Sequence, residues 1–153
     1  MRFVRWLSLS LRSEMGLVYA DLTIVNSGDR ALAARGYIKK KKIRQVSKRA
    51  LVDSGAYMMC INENIVSDLG LNTIDEATVE LANGELDILK ISEPVDISFK
   101  NRATTCRAAI LPKNSEVLLG SIPMEDLDVV IVPKKNTIDV NPESPDMAKK
   151  KLK

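Results

Sequence analysis

Short apolar runs, each closed by a turn signal, succeed one another along this chain with no long helical repeat between them. Leu17 to Val25 (LVYADLTIV) is β-branched and apolar and stops at Asn26-Ser27-Gly28-Asp29, which reads as a first strand ended by turn-forming residues. A loop or ragged hairpin through Gly36 follows. Ile43 to Val52 alternates loosely and then turns continuously apolar at Ala50-Leu51-Val52, as a strand buried on both faces does, just before Asp53-Ser54-Gly55. Val79 and Leu81 precede Asn83-Gly84, and Leu86, Ile88 and Ile91 follow it, the pattern of a hairpin with a type I′ turn at its tip. Pro94 to Phe99, Ala103 to Leu111, Leu118-Leu119, Val129 to Val132 and Thr137 to Val140 supply further strands.

Two brief helices fit into this series. Asn62 caps the first, whose Ile65, Val66 and Leu69 share a face and which Gly70 stops; Ser121 and Pro123 open the second, through Leu127. Strands that do not alternate with long helices disfavour a parallel α/β fold and predict an all-β chain with one or two short helices. The length of 153 residues suits one domain. We place it at residues 15–142, with a flexible extension over 1–14 and a disordered basic tail over 143–153.

The chain contains no histidine, which removes Ser-His-Asp and Cys-His nucleophilic systems and the usual imidazole ligands of catalytic zinc. Acid-base chemistry falls to carboxylates, Lys, Tyr or Cys. Cys60 and Cys106 stand far apart and form no metal-binding or redox pair motif; buried free thiols in a reducing compartment are the plainer reading, one disulfide the other. Met1 to Leu11 starts basic and carries Trp6, Leu7, Leu9 and Leu11, but Ser8 and Ser10 interrupt the apolar run and Arg12 ends it, so it does not read as a secretory signal. No segment approaches the length of a membrane span, and the expectation is a cytoplasmic protein without membrane contact.

Charge is unevenly spread. Eight basic residues and no acid lie between Arg35 and Arg49, and four lysines close the tail; without these twelve, eleven basic residues face 20 acids. The segment 35–49 offers a surface for nucleic acid. A solvated loop or lysine-guarded edge is the commoner role of such a run, and Tyr37 is its only aromatic residue, so a nucleic-acid partner is disfavoured.

The residues that carry the most chemistry are Leu51-Val52-Asp53-Ser54-Gly55-Ala56. Asp-Ser-Gly alone is a weak signal, since a plain turn after a strand uses the same residues. Three features add to it: the apolar strand leading in, the alanine that follows, and Leu118-Leu119-Gly120 far downstream, just before a capped helix. Together with the hairpin lying between them, these residues resemble the retropepsin-like aspartic proteases over about Leu17 to Val140.

The resemblance implies an acid-protease barrel with one lobe per chain. It implies that Asp53 is the catalytic aspartate, that Ser54 bonds across a two-fold axis, that Gly55 lets two such loops approach, and that Ala56 completes the loop where the pepsin pattern often has a hydroxyl residue that would stabilise the ionised pair. Leu118, Leu119 and Gly120 would support the loop from behind. Leu81, Ala82, Asn83 and Gly84 would form a flap over an extended peptide, with main-chain hydrogen bonds as in strand addition. Only one Asp-Ser-Gly is present, so a homodimer must supply the second aspartate. No metal and no organic cofactor is implied. Tyr57, Met58 and Met59 either line the substrate groove or, more commonly for such residues, belong to the core. Three functions follow: an aspartic endopeptidase, a catalytically weak or inactive dimeric peptide-binding module on the same fold, and a nucleic-acid-binding protein acting through 35–49.

Overall fold

A computed structural model of the chain describes residues 16–81 and 83–152. The extension expected over 1–14 and the flap residue Ala82 lie outside the described residues. The first strand, β1 (Tyr19–Asn26), hydrogen-bonds antiparallel to β2 (Gln45–Val52) along its whole length, from Tyr19 opposite Leu51 to Val25 opposite Gln45. Its other edge is shared: Thr23–Asn26 pairs with β6 (Val95–Phe99), and Tyr19 pairs with β11 (Thr137–Val140). One strand thereby joins the two ends of the molecule.

Between β1 and β2 the chain forms α1 (Ser27–Ala34) and a 3₁₀ turn at Lys40–Lys42, where the sequence reading placed a loop or ragged hairpin. Asn26 explains the difference. Its side chain accepts the Asp29 N–H at 3.0 Å and so caps a helix rather than closing a turn, and Ala31 to Ala34 propagate that helix. Asp29 holds the far side of the projection through a two-pronged contact with Arg44, 2.8 and 2.9 Å.

The centre of the sheet is built from β2, β9 (Leu118–Leu119), β3 (Met59–Asn62) and β8 (Ala108–Leu111), in that order. Strand β9 runs parallel to β2, with Leu51 opposite Leu118 and Val52 opposite Leu119, and antiparallel to β3 through Leu118 and Cys60. The continuous Ala50-Leu51-Val52 run has the expected cause. Ala50, Val52, Met59, Ile61, Ala108 and Leu119 face one buried cluster, while Leu51, Cys60, Ala109, Leu111 and Leu118 face another on the opposite side. Burying each of the large aliphatic chains here contributes on the order of 2 kcal/mol. Helices α2 (Glu63–Leu69) and α3 (Ser121–Leu127) add Ile65, Leu69 and Leu127 to the first cluster. Asn62 caps α2 by accepting the Ile65 N–H, and Gly70, at φ +62°, ends it.

Beyond β8 the sheet continues into β5 (Leu86–Ser92) and β4 (Thr73–Glu80), an antiparallel hairpin, while β6 and β7 (Arg102–Cys106) form a second hairpin off β1. The expected single strand from Ala103 to Leu111 is in fact two. At Arg107 the chain leaves its pairing with β6 and, as β8, joins β3 and β5. At the other end of the sheet β10 (Val129–Val132) pairs antiparallel with β11. The sheet curls into a half-barrel, the all-β, retropepsin-like architecture that the resemblance implies, with three short helices.

Residues following β11 lie against this body. Asp128 accepts the Lys149 N–H and the Ser144 hydroxyl, Asn101 donates to Pro145 O at 2.8 Å, and the buried Arg102 donates to Ser144 O. Among the described residues no helix is long and apolar enough to cross a membrane.

Candidate active site

Val52 delivers the chain from the centre of the sheet into the Asp53 turn, and backbone hydrogen bonds fix that turn on both sides. Asp53 N–H donates to Leu119 O at 3.0 Å, and Ala56 N–H donates back to Asp53 O at 3.1 Å. The Asp53 side chain is fully buried. Its Oδ1 accepts the Gly55 N–H at 2.9 Å, while Oδ2 is buried with no hydrogen-bond partner among the described residues. Burial, the larger effect, raises this carboxyl above the usual carboxylate range, against the Gly55 and Ala56 amides that favour the charged form.

Ser54 and Gly55 are exposed at the surface of the turn, and Ala56 is buried beneath it. A second segment holds the turn from behind. Ser121 N–H donates to Ala56 O at 2.8 Å and Ile122 N–H to Tyr57 O at 3.2 Å. These bonds bring Gly120 so close that a Cβ there would lie 2.3 Å from Met58 O and 2.8 Å from Ala56 O. Its φ of −80° is open to any residue, so space and not backbone conformation demands the glycine. Leu118 and Leu119, both fully buried, tie this segment to β2 and β3. The two motifs that lie far apart in sequence therefore form one rigid unit around Asp53.

A cleft of ≈ 500 Å³ opens beside the turn. Gly55, Tyr57 and Met58 form one wall; Ala77, Val79, Leu89 and Ile91 of the β4–β5 hairpin form the other, with Cys60 and Ala109 from the central strands. Asp53 itself does not line it; the exposed Gly55 is its nearest approach to the turn. The three residues after the motif divide between the two readings: Tyr57 is 74% exposed and lines the cleft with Met58, whereas Met59 is fully buried in the core. Cys60 and Cys106 are both free. Burial, followed by the Asp53 charge, pushes the Cys60 thiol up to about 12, so it stays protonated and is no nucleophile.

The hairpin tip departs from a two-residue Asn-Gly turn. Leu81 N–H donates to Glu85 O and Gly84 N–H to Leu81 O, so more than two residues connect β4, which ends at Glu80, to β5, which begins at Leu86. The Asn83 side chain accepts the Glu85 N–H at 2.9 Å, and Gly84 takes up the left-handed conformation, φ +84°. Asn83 and Gly84 are exposed, and Leu81 is buried. Asp75, Glu80 and Arg107 also line the cleft and were not singled out from sequence. The alternation of Asp75, Ala77 and Val79 marks one face of a strand. Only the pairing of β5 with β8 shows that this face meets the cleft.

Among the described residues no group of acids and cysteines is placed to hold a metal ion. A family model described as aspartyl protease, of the pepsin/retropepsin clan, matches residues 39–141, which contain the Asp53 turn, the hairpin and the Leu118-Leu119-Gly120 segment. No curated protein matches the sequence.

Proposed function

Because the chain belongs to the aspartyl protease family, we propose that it hydrolyses peptide bonds in extended peptides, with Asp53 as the catalytic carboxylate and Asp53 of a second copy as its partner. One observation carries this reading: a fully buried carboxyl, fixed at one oxygen by the Gly55 amide and unpartnered at the other, stands on a turn that opens beside a largely apolar cleft. A buried polar oxygen without a partner is costly, and where the exposed Ser54-Gly55 turn opens at a subunit interface a second carboxyl satisfies it by sharing a proton.

Two carboxylates held this close do not both ionise, so the pair is singly protonated. The ionised one takes a proton from a water molecule as the water oxygen bonds to the scissile carbonyl carbon, while the protonated one hydrogen-bonds the carbonyl oxygen. Proton transfer to the amide nitrogen then breaks the C–N bond and returns the pair to its starting state. In this account Ser54 bonds across the two-fold axis, Gly55 permits the close approach of the two turns, and Ala56 packs beneath them. Leu118, Leu119 and Gly120 hold the turn rigid, and Leu81 to Gly84 close over the peptide backbone. No metal or organic cofactor takes part.

With one Asp-Ser-Gly in the sequence, this reading draws the second aspartate from another copy of the chain. A surface that suits it is the outer edge of β10, which among the described residues pairs only with β11 and exposes Val130 beside the half-buried Val129, Ile131 and Val132.

The test is incubation of wild type and Asp53→Asn with an unfolded protein and a peptide library across mildly acidic to neutral pH. Cleavage by the wild type alone is the expected result. Equal cleavage by both, or none by either at any pH, defeats the hydrolase reading and leaves a peptide-binding module.

A further inference from the structure

The cleft is apolar along most of its length and carries an ion pair at its base end. Glu80 stands where β4 reaches the hairpin tip, and Asp75 lies five residues earlier, roughly 17 Å away at the rise of an extended strand. Arg107 meets Asp75 at this base end, Nη1 to Oδ2 at 3.1 Å. The register explains the meeting: Asp75 is opposite Ile91, Ile91 is opposite Ala109, and Arg107, two residues before Ala109, shares its face.

The two members of this pair are unequally satisfied. Asp75 Oδ1 already accepts the Glu76 N–H at 2.8 Å, whereas the Arg107 guanidinium, with its fork of N–H donors, makes that one contact to Asp75 among the described residues. Both side chains are about half exposed, 51% for Arg107 and 55% for Asp75, so water weakens the attraction between them. Arg107 therefore has donors to spare, on the wall of the cleft.

Resting on the peptide-hydrolase reading above, we propose that Arg107 is a specificity-determining residue that receives an acidic side chain of the substrate at the base end of the cleft, adjoining apolar side chains held by Val79, Leu89 and Ile91. A carboxylate fits the guanidinium fork in a way that an amide or an ammonium does not.

Peptides with a common apolar centre, and with Glu, Gln or Lys placed in turn at each flanking position, test this at pH 5.5, where a substrate glutamate is ionised. At the matching position the wild type is expected to show about fivefold lower KM for Glu than for Lys, a contrast that shrinks with added salt. Arg107→Glu reverses the order, and Asp75→Asn, which frees the guanidinium, enlarges the preference for Glu. An unchanged order in Arg107→Glu, or no position at which Glu and Lys differ, overturns the proposal. Binding of the same peptides to Asp53→Asn separates this result from the reading on which it rests. Charge-selective binding without cleavage by the wild type supports the Arg107 site and refutes the hydrolase; cleavage without charge selectivity does the opposite.

Discussion

At the scale of single residues, Asp53 concentrates the conflict between stability and chemistry. Its carboxyl is fully buried and its pKa is raised chiefly by that burial, so the folded chain favours the protonated form. The sign follows directly. Stabilisation is complete below the ordinary carboxylate range and is lost as pH rises through the elevated folded value. Asp53→Asn, which cannot ionise, should therefore gain stability relative to wild type between pH 4 and pH 7, as thermal melts at the two pH values would show. A difference that does not vary with pH would contradict the burial argument. If Asp53 acts as proposed, the same elevation, with an alanine at position 56 where a hydroxyl residue would further stabilise the ionised pair, predicts an activity optimum in the mildly acidic range. A pH profile of peptide cleavage that peaks below about pH 3, under the ordinary carboxylate values, would be at odds with it.

At the scale of elements, the site depends on the crossing of the 56–58 segment by Gly120. A methyl group at 120 would sit 2.3 Å from Met58 O, against backbone that has nowhere to move, so Gly120→Ala is expected to cost on the order of 3 kcal/mol. Gly84→Ala supplies the contrast. Its Cβ would meet open space, and only the left-handed φ of +84° penalises it, by about 1 kcal/mol. Chemical denaturation of the two variants should rank them in that order, and equal losses would mean that the crossing is looser than its geometry requires.

These elements also show how much could be read from the chain alone. The Asp53 turn, the buried strand before it, the Asn62–Gly70 helix and the Leu118-Leu119-Gly120 segment were legible because each is specified within a few neighbouring residues. Helix α1 was not, because Asn26 to Asp29 serve equally as a turn and as a helix cap, and the downstream alanines decide between them. The break at Arg107 and the cleft wall were not legible either. They follow from β8 choosing β3 and β5 as partners, a long-range pairing that periodicity cannot express. The basic run was visible as composition, and the structure spreads it over the connection that follows α1, with its 3₁₀ turn at Lys40–Lys42, and over the first five residues of β2.

At the scale of the whole molecule, the chain is one lobe with one candidate aspartate, and the account requires two lobes to act together. Mixing subunits tests this most directly: wild-type chain at fixed concentration is equilibrated with increasing Asp53→Asn chain, and cleavage of a peptide substrate is followed. If each active site draws one aspartate from each subunit, random pairing with a ninefold excess of variant leaves about a tenth of the starting activity. Activity that stays constant across the titration would show that a single chain carries the whole site, and the dyad account would fall.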